Sequence, residues 1–234
     1  NKKIRIGAGE DLQIYHDGSN SYITNTGGNL NIKADDLHIR GTNDELMAVF
    51  NENSDCQLYH NSTLKLQTTT TGINIHNGGI RLGGNNAANE LNDYEEGTFT
   101  PSFWASSTAF TTAPTYTNRN AYYTKIGRQV HFSIYLSWDN SAAGGAGNVY
   151  LGGLPFTQAN NSAYSGIYWG WWDFDSAAMA SDEVMTGYIN NNSTNVIMGR
   201  SHVGASGSFE ALNAFYAVNG KAGNFQLNGV YYTS

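Results

Sequence analysis

The sequence predicts an all-β fold: a short-stranded, intertwined trimeric β shaft followed by a C-terminal jelly-roll-like β-sandwich. Three observations lead there. Charged residues make up only 13% of the 234 residues, and Gly, Asn, Ser and Thr replace the Ala/Leu/Glu/Lys stretches that helices need. Tyr (15) and Trp (5) are plentiful, which opposes disorder. Finally, Gln13-Ile14-Tyr15-His16 returns as Gln57-Leu58-Tyr59-His60 in the first third of the chain and nowhere later, dividing a repetitive stalk from a non-repetitive head.

The stalk, residues 1–90, alternates apolar and polar residues with period two between Gly, Asn and Asp turns. Leu12, Ile14 and His16 should face one way, with Gln13 and Tyr15 facing the other. Leu30-Asn31-Ile32, Leu37-His38-Ile39, Leu64-Lys65-Leu66, Ile73-Asn74-Ile75 and Ile80-Arg81-Leu82 repeat the pattern. Each such strand offers two or three apolar side chains. That is too little to offset ~1–2 kcal/mol of backbone entropy for every residue ordered. Repeats of this kind bury their apolar face on neighbours, and two copies are too few to serve one another. Three chains wound about an axis would let each thin stripe face two others.

Between Gly83 and Gly97 the alternation lapses into an acidic stretch with room for one short helical turn. Residues 91–98 are read as a neck and 99–234 as the head. There Tyr122 to Ile126 and Gln129 to Leu136 should form a hairpin closed by Gly127-Arg128. Val130, Phe132, Ile134 and Leu136 mark its buried face. Further strands are expected at Asn148–Leu151, Gly166–Phe174, Val184–Ile189, Asn195–Met198, Leu212–Val218 and Phe225–Tyr232. This even spacing suits a sandwich or jelly roll.

The charge is −7, carried mostly by residues 1–98, where seven Lys/Arg meet thirteen Asp/Glu; residues 99–234 hold five against six. With no basic stripe, nucleic acid is excluded as a partner. No run of eighteen apolar residues exists to insert into a membrane as a helix. Cys56 is alone, so no disulfide forms within the chain. No phosphate loop, Gly-x-Ser-x-Gly elbow or EF-hand spacing occurs, and no cofactor is expected. The chain opens on Asn1-Lys2-Lys3 without Met and reads as the C-terminal piece of a longer protein.

The stretch from Gly9 through Asp11-Leu12-Gln13-Ile14-Tyr15-His16-Asp17-Gly18 to Ile23 resembles repeats in tail fibres of tailed bacteriophages, notably those of marine bacteria. Leu58-Tyr59-His60-Asn61, Lys65-Leu66-Gln67-Thr68 and Thr71-Gly72-Ile73 resemble the unit that ends such shafts. Leu91 to Pro101 is similar to the joint before the distal domain. Tyr123-Thr124-Lys125-Ile126-Gly127-Arg128-Gln129-Val130 and Gly152-Gly153-Leu154-Pro155-Phe156 match the family's hairpin and β-turn motifs. The resemblance implies a homotrimer in the virion tail, joined to upstream tail components, whose distal heads contact bacterial surface glycans. Tyr168-Trp169-Gly170-Trp171-Trp172-Asp173 departs from the family by its richness in Trp, so the family assigns no ligand.

Alternation would place Trp169, Trp171 and Asp173 on one face of a strand, with Tyr168, Trp172 and Phe174 on the other. The face ending in Asp173 and Asp175 is the better candidate for solvent, because unpaired carboxylates are rarely buried. Trp104, Trp138, Tyr164, Trp169 and Trp171 are therefore candidate sugar-stacking residues, with Asp173 and Asp175 accepting hydroxyls. The competing expectation is that these rings fill the core or a trimer interface. Asp173 and Asp175 would lie ~6–7 Å apart, near the lower end for an inverting glycosidase. A solvated strand end is simpler, and no catalytic residue is expected. In a trimer His16 or His60 could present three nitrogens on the axis to a metal. A solvent-facing His is the simpler expectation, so no metal is assigned. Two alternatives to an attachment protein remain open: a polysaccharide-cleaving tail spike, and a head that only caps the trimer.

Overall fold

The structure is a computed structural model describing residues 2–84, 86–91, 93–160, 164–174, 183–202, 209–213 and 218–234. It divides into two compact units, Asn1–Gly78 and Gly79–Ser234. Among the described residues the regular structure is β-strand apart from one turn of 3-10 helix.

In the first unit β1 (Lys3–Ile6), β2 (Leu12–His16) and β3 (Ser21–Asn25) form one antiparallel sheet. A second is the meander β4 (Asp36–Arg40), β5 (Leu46–Asn51), β6 (Cys56–His60), β7 (Thr63–Thr68) and β8 (Ile73–Ile75). The two copies of the repeat are β2 and β6. Their alternation is as expected, and the pairing registers align their apolar residues across strands. Ile4, Ile14 and Ile23 make one row, and Ile39, Ala48, Leu58, Leu66 and Ile75 another. Within one chain these rows are largely uncovered: Ile14, Leu58 and Ile75 are 40–46% exposed and Ile23 is 60% exposed.

The opposite faces hold the repeat's polar residues. Tyr15 stacks on Tyr22 at 5.0 Å beneath the Lys3 ammonium. The Asp55 carboxylate accepts hydrogen bonds from Gln57 Nε2 and Asn51 Nδ2, each at 2.6 Å, and from Gln67 Nε2. These amide contacts, Gln57 foremost, hold Asp55 well below the usual carboxylate range.

The second unit begins with a small ribbon, β9 (Ile80–Arg81) and β10 (Glu90–Leu91). Its strands are joined through the 3-10 turn Ala87–Asn89 and tied by an Arg81–Glu90 ion pair of 3.0 Å. The neck continues as β11 (Tyr94–Thr98), a strand paired with the head's own sheet. Then come β12 (Ser102–Ala105), β13 (Tyr116–Ile126), β14 (Gln129–Trp138), β15 (Val149–Gly152), β16 (Ser165–Phe174), β17 (Glu183–Ile189), β18 (Val196–His202), β19 (Glu210–Ala211) and β20 (Gly223–Tyr232). The expected strand at Leu212–Val218 falls partly outside the described residues; only an isolated bridge at Asn213 is seen there.

These strands form one antiparallel ten-stranded sheet in the order β11-β13-β14-β20-β16-β17-β18-β15-β12, with β19 on β18. It curls into two layers because β16 changes partner along its length. Ile167–Phe174 pair with β20, whereas Ser165 and Gly166 pair with β17. Between the layers Val130, Phe132, Ile134 and Leu136 are at most 1% exposed, as their alternation predicts. The layers meet where Phe103 of β12 packs edge-on against Trp138 at 4.9 Å and near Phe225 at 6.2 Å. The β13–β14 hairpin turns at Gly127, whose φ of +56° is the conformation a type II′ turn needs at its first position.

Candidate functional site

Antiparallel register sorts the outward side chains of the first layer into rows running across β13, β14, β20 and β16. Asn118, Ser137, Asn224 and Asp173 form one row. Asn120, Tyr135, Gln226 and Trp171 form the next, and Tyr122, Ser133, Asn228 and Tyr168 a third. Four strands ~4.8 Å apart make each row about 14 Å long. The face is therefore built of carboxamides and hydroxyls, with rings at its rim on β16. Tyr168 is 71% exposed and Trp171 49%.

A β-bulge at Gly170 creates this arrangement. The register shifts between Trp169 and Trp171, so Trp169 lies opposite Leu227, Trp171 opposite Gln226 and Trp172 opposite Phe225. Simple alternation placed Trp169 and Trp171 together; the extra residue separates them. Trp169 turns inward and packs edge-on to Phe225 at 5.3 Å, and Trp172 also packs against the core. Trp171 and Asp173 share the outer face, as expected. Trp138 is 3% exposed, because the even spacing of β14 puts it on the buried face with Leu136, and it also lines a cleft. Asp175 lies outside the described residues.

In the row next to that of Trp171 the face sinks into this open cleft of about 330 Å³, lined by Thr117, Ser137, Trp138, Asp173, Ala222, Gly223 and Asn224. The size lies at the small end of ligand sites. Asn224 Oδ1 is enclosed yet receives no hydrogen bond from the described residues. A buried acceptor left unmatched is costly, and a ligand in the cleft reaches this oxygen only if the Asn224 side chain turns outward. Asp173 adds a carboxylate acceptor, and Ser137 and Thr117 add hydroxyls that can donate or accept. The half-exposed Trp171 ring stands outside this lining, in the next row along β16, where it offers an apolar face. Ala222, Gly223 and Asn224 join the site from β20 and the residue before it. They carry no local motif, and only the β20–β16 pairing reveals them.

Trp104 and Tyr164 are exposed on other parts of the head, at 40% and 65%. His16 is exposed with Nδ1 3.3 Å from Ser21 Oγ, and His60 is exposed. Among the described residues no group of His, Cys, Asp and Glu side chains is arranged to hold a metal.

No family model matches the chain, and no curated protein does. The crystal structure of the Dettilon tailspike protein is similar at a TM-score of 0.46 and 17% identity, over 59% of this chain. The chain spans 24% of that protein's length.

Proposed function

We propose that the chain is the distal part of a bacteriophage tail fibre that attaches to carbohydrate on the host surface and does not cleave it. The observation that carries this reading is the cleft on the first layer. A carboxylate, an asparagine and two hydroxyls line it, and an exposed Trp ring stands in the next row of the same sheet. Such a site reads hydroxyl positions and apolar ring faces without depending on net charge, which salt would screen. The tail-fibre assignment rests on the ordered motifs of residues 9–156. The uncovered apolar rows of the first unit support a homotrimer. Three weak heads on one shaft then bind a surface together, because each attachment raises the effective concentration for the next.

The test is binding of the full chain to an array of bacterial surface polysaccharides, beside Trp171→Ala. An aromatic stacking contact contributes ~1–3 kcal/mol, so the variant should lose about ten- to a hundredfold in affinity. Equal binding by the variant and the wild type would refute the site. Shortening of a polysaccharide during incubation would instead establish a cleaving spike.

A further inference from the structure

The outer face of the head's second layer carries another line of rings, which the reading above leaves unused. Register sets Trp104 of β12, Tyr150 of β15, Ile197 of β18 and Tyr188 of β17 directly opposite one another. At ~4.8 Å per strand the line is about 14 Å long. Gly166 of β16 lies opposite Tyr188, and a Cβ there would meet nothing within 4 Å, so that end opens to solvent. Tyr164 extends the line, its ring 5.0 Å from Tyr188, and Trp104 packs 4.6 Å from Tyr150 at the far end. None of these residues is charged.

The hydroxyls separate this surface from an ordinary apolar patch. Three other tyrosines of the head spend theirs internally. Tyr116 Oη accepts the Phe103 N–H at 2.7 Å, Tyr231 Oη accepts the Phe156 N–H at 3.2 Å, and Tyr123 donates to Glu95. The hydroxyls of Tyr150, Tyr164 and Tyr188 make no hydrogen bond with the described residues. Desolvation, then the neighbouring Tyr164 and Tyr150, raise the Tyr188 pKa, so its phenol remains a donor at alkaline pH.

A protein surface covering this line would have to match three hydroxyls that no described residue satisfies, or bury them unsatisfied. A polysaccharide offers apolar C–H faces and hydroxyls in alternation, which is what rings with polar tips can meet. We propose that Trp104, Tyr150, Tyr188 and Tyr164 form a second carbohydrate subsite, which takes an uncharged polysaccharide lying across the strands. It shares its ligand class with the first-layer cleft but rests on different residues.

The experiment titrates the full chain with dextran, mannan and galactan, following Trp fluorescence and calorimetry. It compares Trp104→Ala, the double variant Tyr150→Phe/Tyr188→Phe, and Trp171→Ala. At least one polysaccharide should bind the wild type. Trp104→Ala should weaken that binding at least ~10-fold, and the double variant, which removes only hydroxyls, about tenfold. Loss confined to these two variants, with Trp171→Ala unaffected, supports the second subsite and counts against the first. Loss confined to Trp171→Ala overturns the second subsite and leaves the first standing. The proposal also fails if the wild type binds none of the three. It fails equally if Trp104→Ala lowers the sedimenting mass without changing saccharide binding, since the line would then lie between copies of the chain.

Discussion

Replacing Leu58 by Asp tests whether the repeat's apolar face is covered by other copies of the chain. Leu58 lies at the middle of the row from Ile39 to Ile75 and is 46% exposed. Burying a whole Leu or Ile side chain is worth ~1.5–3 kcal/mol, so covering the exposed half gains ~0.7–1.4 kcal/mol per copy. Across three copies that is ~2–4 kcal/mol from Leu58 alone, and Ile39 and Ile75, similarly exposed, add comparable amounts. The head keeps its own buried core. A lone chain cannot offset the backbone entropy of the first unit, so that unit should unfold once the copies are driven apart by the new carboxylate. In a trimer it brings three charges into a dry seam, where each must lose hydration without a partner. Sedimentation equilibrium over a concentration series is the assay, with circular dichroism to confirm the strands. The wild type should sediment as a trimer and Leu58→Asp as a monomer with reduced strand content. A wild type that is monomeric at every concentration, or a variant that remains trimeric, would refute the reasoning.

Two further outcomes follow from single residues. The amide contacts lower the Asp55 pKa in the folded state, so their stabilisation is fully present above the unfolded value of about 3.9 and is lost as pH falls below it. Thermal melts from neutral pH into acid should show this loss for the wild type, whereas Asp55→Asn should be less stable at neutrality and flatter in acid. Parallel pH profiles would contradict the network's role. Gly153 has φ of +97°, and a Cβ there would sit 2.5 Å from the Thr100 carbonyl oxygen. Gly153→Ala should therefore destabilise the head by ~1–3 kcal/mol in denaturant titration, and an unchanged midpoint would contradict that backbone conformation.

The β13–β14 hairpin was legible in the sequence because a strict two-residue period and a Gly-Arg turn specify it locally. The stalk's alternation was legible for the same reason. Which stalk face one chain leaves open was not, since both faces alternate equally well and only the three-dimensional pairing shows Asp55 gathering amides on one side. The site was half legible. Trp171 and Asp173 announce themselves by residue type, but the Gly170 bulge that parts Trp169 from Trp171 depends on the fit of β16 against β20. Asn224 and Ser137 reach the cleft, and Tyr150 and Tyr188 reach Trp104, only through pairings between strands distant in sequence. No local pattern encodes them.

Because of the bulge, β16 carries two independent sets of positions on one short segment. Ile167, Trp169 and Trp172 hold the interior, while Tyr168, Trp171 and Asp173 face outward, each at the end of its own row. Substitutions at the outward three replace no residue of the buried core. Under the proposed attachment function, receptor choice would rest on a handful of codons in one strand. A library randomised at those three positions alone would sample new receptors from an otherwise constant head.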